Sequence, residues 1–150
     1  MNWKLRWEIK SFHELTNTEL YECLKLRQIV FSWEQHCAYI DCDDKDAPAR
    51  HLMGFQDRQL AAYCRILPAG VAFDELSIGR IITHPKYRKL GFGKELIEVA
   101  LQEVHRKFGA QTIRIGAQKW LSGFYRQYGF VEEDISYLED GIPHVIMRRE

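Results

Sequence analysis

The chain has no excess of either charge. Its 150 residues hold 21 Lys and Arg against 21 Asp and Glu, which excludes a strongly basic nucleic-acid binder while allowing a local patch. It also lacks a long apolar run: Leu60-Ala61-Ala62-Tyr63-Cys64 is far short of the ~20 residues of a membrane helix, so no membrane partner is expected. The opening Met1-Asn2-Trp3-Lys4-Leu5-Arg6-Trp7-Glu8 has neither the apolar segment of a secretion signal nor a myristoylation glycine, and a cytoplasmic location is expected. Cysteines number only four, too few and too scattered for a disulfide framework. Cys23 and Cys64 lie in apolar-periodic segments. Cys37 and Cys42, beside His36 and Asp41, have metal-like spacing but no second Cys or His pair, so no metal is expected. No repeat or low-complexity tract divides the chain, and one domain over residues 1–150 is expected. What is present, 46% hydrophobic and 28% charged residues, suits a folded globular chain and argues against disorder.

Periodicity supplies the elements. Trp3 to Glu8 alternates apolar and polar residues as a strand does. Thr16-Asn17-Thr18-Glu19 is a capping box, and a helix should follow through Leu20, Leu24 and Phe31. Gln35 to Arg50 reads as a polar loop rich in aspartate. Strands are expected at His51–Phe55 and Gln59–Leu67, joined by a turn at Asp57-Arg58, and from about Phe73 to Thr83, ended by His84-Pro85. From Gly93, Leu96, Ala100, Val104 and Phe108 recur at helical spacing over about four turns. Thr112–Ala117 reads as a strand, Lys119–Tyr128 as a short helix, and Phe130–Tyr137 and Pro143–Met147 as closing strands. The order makes a mixed α/β (α+β) fold, one sheet with helices packed on it.

Chemistry concentrates between Ile78 and Lys94. A strand end and a proline precede Arg88-Lys89-Leu90-Gly91-Phe92-Gly93-Lys94, which opens a helix. The first amides of a helix lack internal partners and sit at the positive end of its dipole, and glycines admit a ligand close to the backbone. With Arg88, Lys89 and Lys94 beside them, they suit a phosphate or pyrophosphate. The pattern is not a Walker loop, since Glu95 follows Lys94, nor a dinucleotide fingerprint, since Leu96 replaces a third glycine. Alone, Gly91 and Gly93 fit a plain turn equally well; the succession of strand, His-Pro, Arg-x-x-Gly-x-Gly and helix favours the anion site.

The segment Ile78 to Lys94 resembles the acyl-CoA-binding motif of the GNAT superfamily of N-acetyltransferases, whose core Q/R-x-x-G-x-G/A is matched by Arg88 through Gly93. Phe124-Tyr125-Arg126-Gln127-Tyr128-Gly129-Phe130 is similar to that family's late motif. Leu26-Arg27-Gln28-Ile29-Val30-Phe31, Glu34-Gln35, the Asp41–Asp46 loop and Tyr137–His144 extend the resemblance to the ElaA-like branch. The resemblance implies a mostly antiparallel mixed sheet, splayed in the middle, with helices on both faces. It implies acetyl-CoA as cosubstrate, and pantetheine pairing with the strand edge at Ile81, Ile82 and Thr83. It further implies that Arg88 and the backbone of Lys89, Leu90, Gly91, Phe92, Gly93 and Lys94 hold the pyrophosphate. Gln118 stands where many members have an Asn that contacts the cofactor arm, and Tyr125 where the family places its general acid.

Acyl transfer to an amine needs a base for an ammonium whose pKa is ordinarily ~10.4 and an acid for the departing thiolate. Tyr125 is a neutral donor at pH 7, and Phe124 and Tyr128 already supply the apolar spacing of its helix. For the base the candidates are Glu75, at the position where family members place a carboxylate, His84, His144, Glu34 and Asp41, or no dedicated group. Asp41, Asp43, Asp44 and Asp46 form one acidic cluster; Glu132, Glu133, Asp134, Glu139 and Asp140 form another. Each is either a solvated face or a wall that attracts a cationic amine. The expectation is a ternary-complex N-acetyltransferase acting on a small-molecule or peptide amine. The alternative is a CoA-binding module without catalysis. Exposed closing strands make a homodimer plausible.

Overall fold

The computed structural model describes residues 2–150. Strands β1 (Arg6–Ser11), β2 (Arg50–Gln56), β3 (Gln59–Leu67) and β4 (Ser77–Thr83) form one antiparallel sheet in that order. Strands β5 (Ile113–Gln118), β6 (Val131–Glu139) and β7 (Ile142–Arg149) form a second, in the order β5-β7-β6. Among the described residues a single parallel bridge, Leu76 to Ile113, joins the halves at the start of β4. Beyond it the strands diverge. The fold is the mixed, centrally splayed sheet with helices on both faces.

Helix α1 (Asn17–Arg27) starts at the expected capping box: the Glu19 amide donates to Thr16 Oγ1 at 3.1 Å, and the Thr16 amide donates to Glu19 Oε1 at 2.8 Å. It ends earlier than its sequence suggests and continues as a π-helical stretch, Gln28–Glu34. Its buried face is Cys23, Leu26 and Arg27, extended by Val30 of the π-helical stretch, and not the Leu20–Leu24 stripe; the buried charge of Arg27 finds aspartates there. Helix α2 (Phe92–Phe108) follows the expected period and buries Leu96, Ile97, Ala100 and Val104 against Ala62, Cys64 and Ile66 of β3. Tyr63 of the same strand packs with Cys23 and Leu26 of α1 and with Val30 of the π-helical stretch on the other side. Removing one such leucine, Leu96, to Ala would cost about 2–5 kcal/mol.

Two strands start several residues later than expected, and the closing strands run further, to Glu139 and Arg149. Residues 3–5 leave the ladder because the amides of Lys4 and Leu5 donate to Glu95 Oε1 of α2 at 2.8 and 3.3 Å. Strand β4 begins only at Ser77, residues 70–75 forming turns. Lys119–Tyr128 splits into a 3₁₀ turn at Lys119–Leu121 and helix α3 (Ser122–Arg126). No helix among the described residues is long and apolar enough to cross a membrane.

Candidate active site

Strand β4 creates the site through a bulge. Tyr63 pairs with Ile82 and Arg65 with Gly79, so Arg80 and Ile81 together face Cys64 across β3. Arg80 takes a φ of 50°, a left-handed conformation that costs a non-glycine residue about 1–2 kcal/mol. Its side chain is held by the 35–50 loop, Nε donating to Asp41 Oδ1 at 2.8 Å. The bulge turns Ile81, Ile82 and Thr83 toward the gap between the half-sheets. There they line a cleft of about 400 Å³ with Phe31, Leu96, Gln118 and Tyr125.

The cleft runs on to the start of α2. Gly91 stands before the helix at a φ of 83°, which only glycine adopts at little cost, and its carbonyl accepts from Glu95 at 3.2 Å. A cavity of about 280 Å³ there is bordered by Thr83, Arg88, Lys89, Gly91, Gly93 and Lys94, with Tyr87, Phe92 and Phe124 completing it. A Cβ placed on Gly93 would meet only Thr83 Cγ2, at 4.0 Å, so this glycine keeps the floor of the passage bare. Leu90 is half exposed and borders neither cavity; only its backbone belongs to the loop.

Arg88 is already engaged. It donates to both carboxylate oxygens of Glu34, at 2.6 and 2.7 Å, and to the Thr83 carbonyl at 3.2 Å. Glu34 and Phe31 reach the cleft because the π-helical stretch carries them over it, a feature that helical periodicity does not reveal. Gln118 exchanges amide hydrogen bonds with Gln35 and accepts from Trp120 Nε1 at 2.7 Å. Phe31 and Gln118 also border two further cavities. One, of about 250 Å³, is walled by Tyr39, Ile40, Asp43, Arg80, Glu139 and His144. The other, of about 80 Å³, lies in the splay and has Ile81, Tyr125 and His144 in its wall.

Tyr125 is 5% exposed and packs edge-on against Phe124 and Phe130. Burial, with the Cys64 thiol nearby adding to it, pushes its hydroxyl well above the ordinary tyrosine range, so it stays protonated at neutral pH. Burial likewise raises Cys64, and it pushes Cys23 up to about 12, which leaves both thiols inert.

The other base candidates separate. Glu75 sits at the joined end of β4, beside Arg148 at 3.4 Å and Arg114 at 3.8 Å, and does not border the cleft. Its carboxylate ties the half-sheets together, at the far end of the strand from Thr83. His84 belongs to the turn after β4, its Nδ1 accepting from the Lys86 amide at 3.1 Å; burial, with Lys86 and Arg88 nearby, lowers its pKa. Asp41 accepts from Arg27 and Arg80. His144 alone among the histidines borders the second and the splay cavities.

The acidic cluster of the loop does not face solvent as a unit. Asp41 and Asp46 pair with Arg27 at 2.7 Å, Asp43 and Asp46 with Arg65 at 2.5 and 2.9 Å, and Asp43 also with Arg80 at 3.4 Å. Three aspartates thus answer three arginines, and only Asp44 of the cluster is exposed. In the late cluster, Glu132 pairs with Arg126 and Glu133 with Arg114, Asp134 is exposed away from the second cavity, and Glu139 and Asp140 stand in its wall.

Comparison with known proteins agrees with this geometry. The family described as an acetyltransferase (GNAT) domain matches residues 35–150. Protein ElaA of Escherichia coli is 36% identical over 148 residues, 97% of each chain. An acyl-CoA N-acyltransferase from Pseudomonas aeruginosa, solved by crystallography, superposes with a TM-score of 0.92 at 40% identity, covering 98% of this chain and 100% of its own. A Bacillus subtilis acetyltransferase crystallised with CoA shares the fold at a TM-score of 0.69 and 24% identity, covering 98% and 99%. The chain belongs to the GNAT acetyltransferase family, in its ElaA-like branch.

Proposed function

We propose that the protein transfers the acetyl group of acetyl-CoA to a primary amine, by direct attack in a ternary complex. The observation that carries this reading is the position of Tyr125, in the wall of both the cleft that leads from the α2 N-terminus and the cavity that opens through the splay. A thioester entering from one side and an amine from the other would meet beside its hydroxyl.

The residues present fit CoA. The Lys89–Lys94 backbone and the bare Gly93 would receive the pyrophosphate, with Lys89 and Lys94 adding charge. Arg88 would join them on leaving Glu34. The free edge of β4 at Ile81, Ile82 and Thr83 would pair with the pantetheine amides, and Gln118 would lie alongside. As the amine nitrogen bonds to the acetyl carbon and the carbon–sulfur bond breaks, Tyr125 gives its proton to the sulfur. No cysteine borders the cleft among the described residues, which supports direct transfer over a thiol-bound acetyl group.

The test is thiol release from acetyl-CoA with a panel of alkylamines, polyamines, amino acids, aminoglycosides and peptide N-termini. Turnover on one class with saturation by both substrates is the expected result. CoA binding with no turnover on any class would leave the non-catalytic module as the reading.

A further inference from the structure

We propose that His144, backed by Glu139, is the general base that takes the proton from the incoming ammonium. The proposal rests on the acetyl-transfer reading above and adds the residue that makes the acceptor reactive.

Three features position this imidazole. First, strand alternation turns His144 to the face opposite Val145 and Met147, which lie in the core beneath α2, and so toward the 35–50 loop and the second cavity. It is 6% exposed, yet it borders both that cavity and the splay cavity that reaches Tyr125. Second, its Nδ1 lies 2.7 Å from the Ile142 carbonyl oxygen, which can only accept; Nδ1 therefore carries a hydrogen, and a neutral ring presents its lone pair at Nε2. Third, Nε2 lies 3.3 Å from Oε2 of Glu139, a half-exposed carboxylate that an incoming ammonium would displace from the ring and pair with, so that one of its N–H groups points at the Nε2 lone pair. The ring is held in place by Tyr137, 5.3 Å away between centroids and tilted by 30°. Gly116 leaves room for this: a Cβ there would collide with the Tyr137 hydroxyl.

The charges around the ring fit a cationic acceptor. From β6 and its turn come Glu139, Tyr137 and Asp140; from β4 comes Arg80, already paired with Asp41 and Asp43; from α3 comes Tyr125. The loop adds Lys45, at 4.0 Å from Asp43, together with Tyr39 and Cys37. Glu139 and Asp140 remain without an Arg or Lys partner among the described residues, so the wall beside His144 is net negative.

The proton balance closes. Nε2 of His144 accepts one ammonium proton and later releases it to solvent. The neutral amine attacks the acetyl carbon. The carbon–nitrogen bond forms, the carbon–sulfur bond breaks, and Tyr125 protonates the sulfur. The second proton lost by the nitrogen restores the Tyr125 hydroxyl.

The experiment is kcat/KM against pH, with n-butylamine, spermidine and an unblocked dipeptide as acceptors, for wild type, His144→Gln and Glu139→Gln, alongside CoA affinity. The wild-type profile should fall on its acid side, where a protonated base no longer accepts the ammonium proton. His144→Gln should lower kcat/KM at pH 7 by about 10²-fold or more and abolish that limb, with CoA affinity within twofold. Glu139→Gln, at a half-exposed side chain that folding tolerates, should keep the limb and raise KM for the amine several-fold. An unchanged limb in His144→Gln would overturn the role of His144 alone, and an unchanged amine KM in Glu139→Gln would overturn its backing by Glu139. No wild-type turnover on any acceptor, with CoA still bound, would overturn the acetyl-transfer reading and the base with it.

Discussion

The two ends of β4 have opposite fates. At its start the strand is joined to β5: the Arg114 amide donates to the Leu76 carbonyl at 3.0 Å, and Glu75 reaches Arg114 and Arg148 on the other half-sheet. At its end, Ile81, Ile82 and Thr83 have β3 on one side and a cavity on the other. A buried strand edge with free backbone groups is costly unless something pairs with it. Here the joined end, the Arg80 bulge and the arginine–aspartate network hold the split open, so a ligand can supply the missing partner. The site exists where the sheet's own hydrogen bonding stops.

The largest effect should come from dismantling the network that holds the open end. Arg27→Ala leaves Asp41 and Asp46 short of a partner for a side chain 1% exposed, and should cost about 3–5 kcal/mol in denaturant unfolding. The same network predicts acid sensitivity. Burial alone would raise Asp43 and Asp46, but hydrogen bonds and charge from Arg65 and Arg27 outweigh it and hold both below the usual carboxylate range. Their stabilisation is therefore complete above about pH 4 and is lost as the pH falls through the folded-state values. Thermal melts between pH 7 and pH 2 should show that loss, and Arg27→Ala should flatten it.

Within the open end, Tyr125→Phe should lower kcat by about 10²–10⁴-fold with CoA affinity nearly unchanged, read by thiol release and calorimetry. An unaltered rate would remove Tyr125 from the acid role. Gly91→Asp should weaken CoA binding by about 10²-fold, since it combines a side chain at a φ of 83° with an anion beside phosphate. Glu34→Gln should strengthen CoA binding only a few-fold, by freeing a half-exposed Arg88 whose ion pair is worth about 0–1 kcal/mol. Smallest is Glu75→Gln at the joined end, expected to cost about 1 kcal/mol or less of stability and to leave turnover unchanged. A large loss of turnover there would erase the distinction between the two ends.

Much of the open end was legible in the sequence. Arg88 to Lys94, the helix that follows and the capping box at Thr16 depend on interactions within a few residues, and each forms where its motif stands. The charge groups were not legible in the same way. Asp41 and Asp43 read as acids facing solvent or substrate because their partners, Arg27, Arg65 and Arg80, lie 14 to 39 positions away. Glu75 and His144 were both open candidates for the base. Periodicity places each on or near a strand but does not say which end of the splay it meets.

By itself, then, the sequence determined the glycine turn before α2, the amphipathic α2, the β2–β3 hairpin and the family to which the chain belongs. Tertiary structure alone decided which charges are cancelled and which remain available. It placed Glu75 on the seam, Glu34 on Arg88, and His144 beside Glu139 at the cavity that meets Tyr125. Backbone conformation is chosen by neighbours along the chain, whereas a charge is settled by whatever the fold brings within a few ångströms of it. The even balance of 21 against 21 therefore conceals pairs formed across the fold, which leave a few charges over beside the cavities.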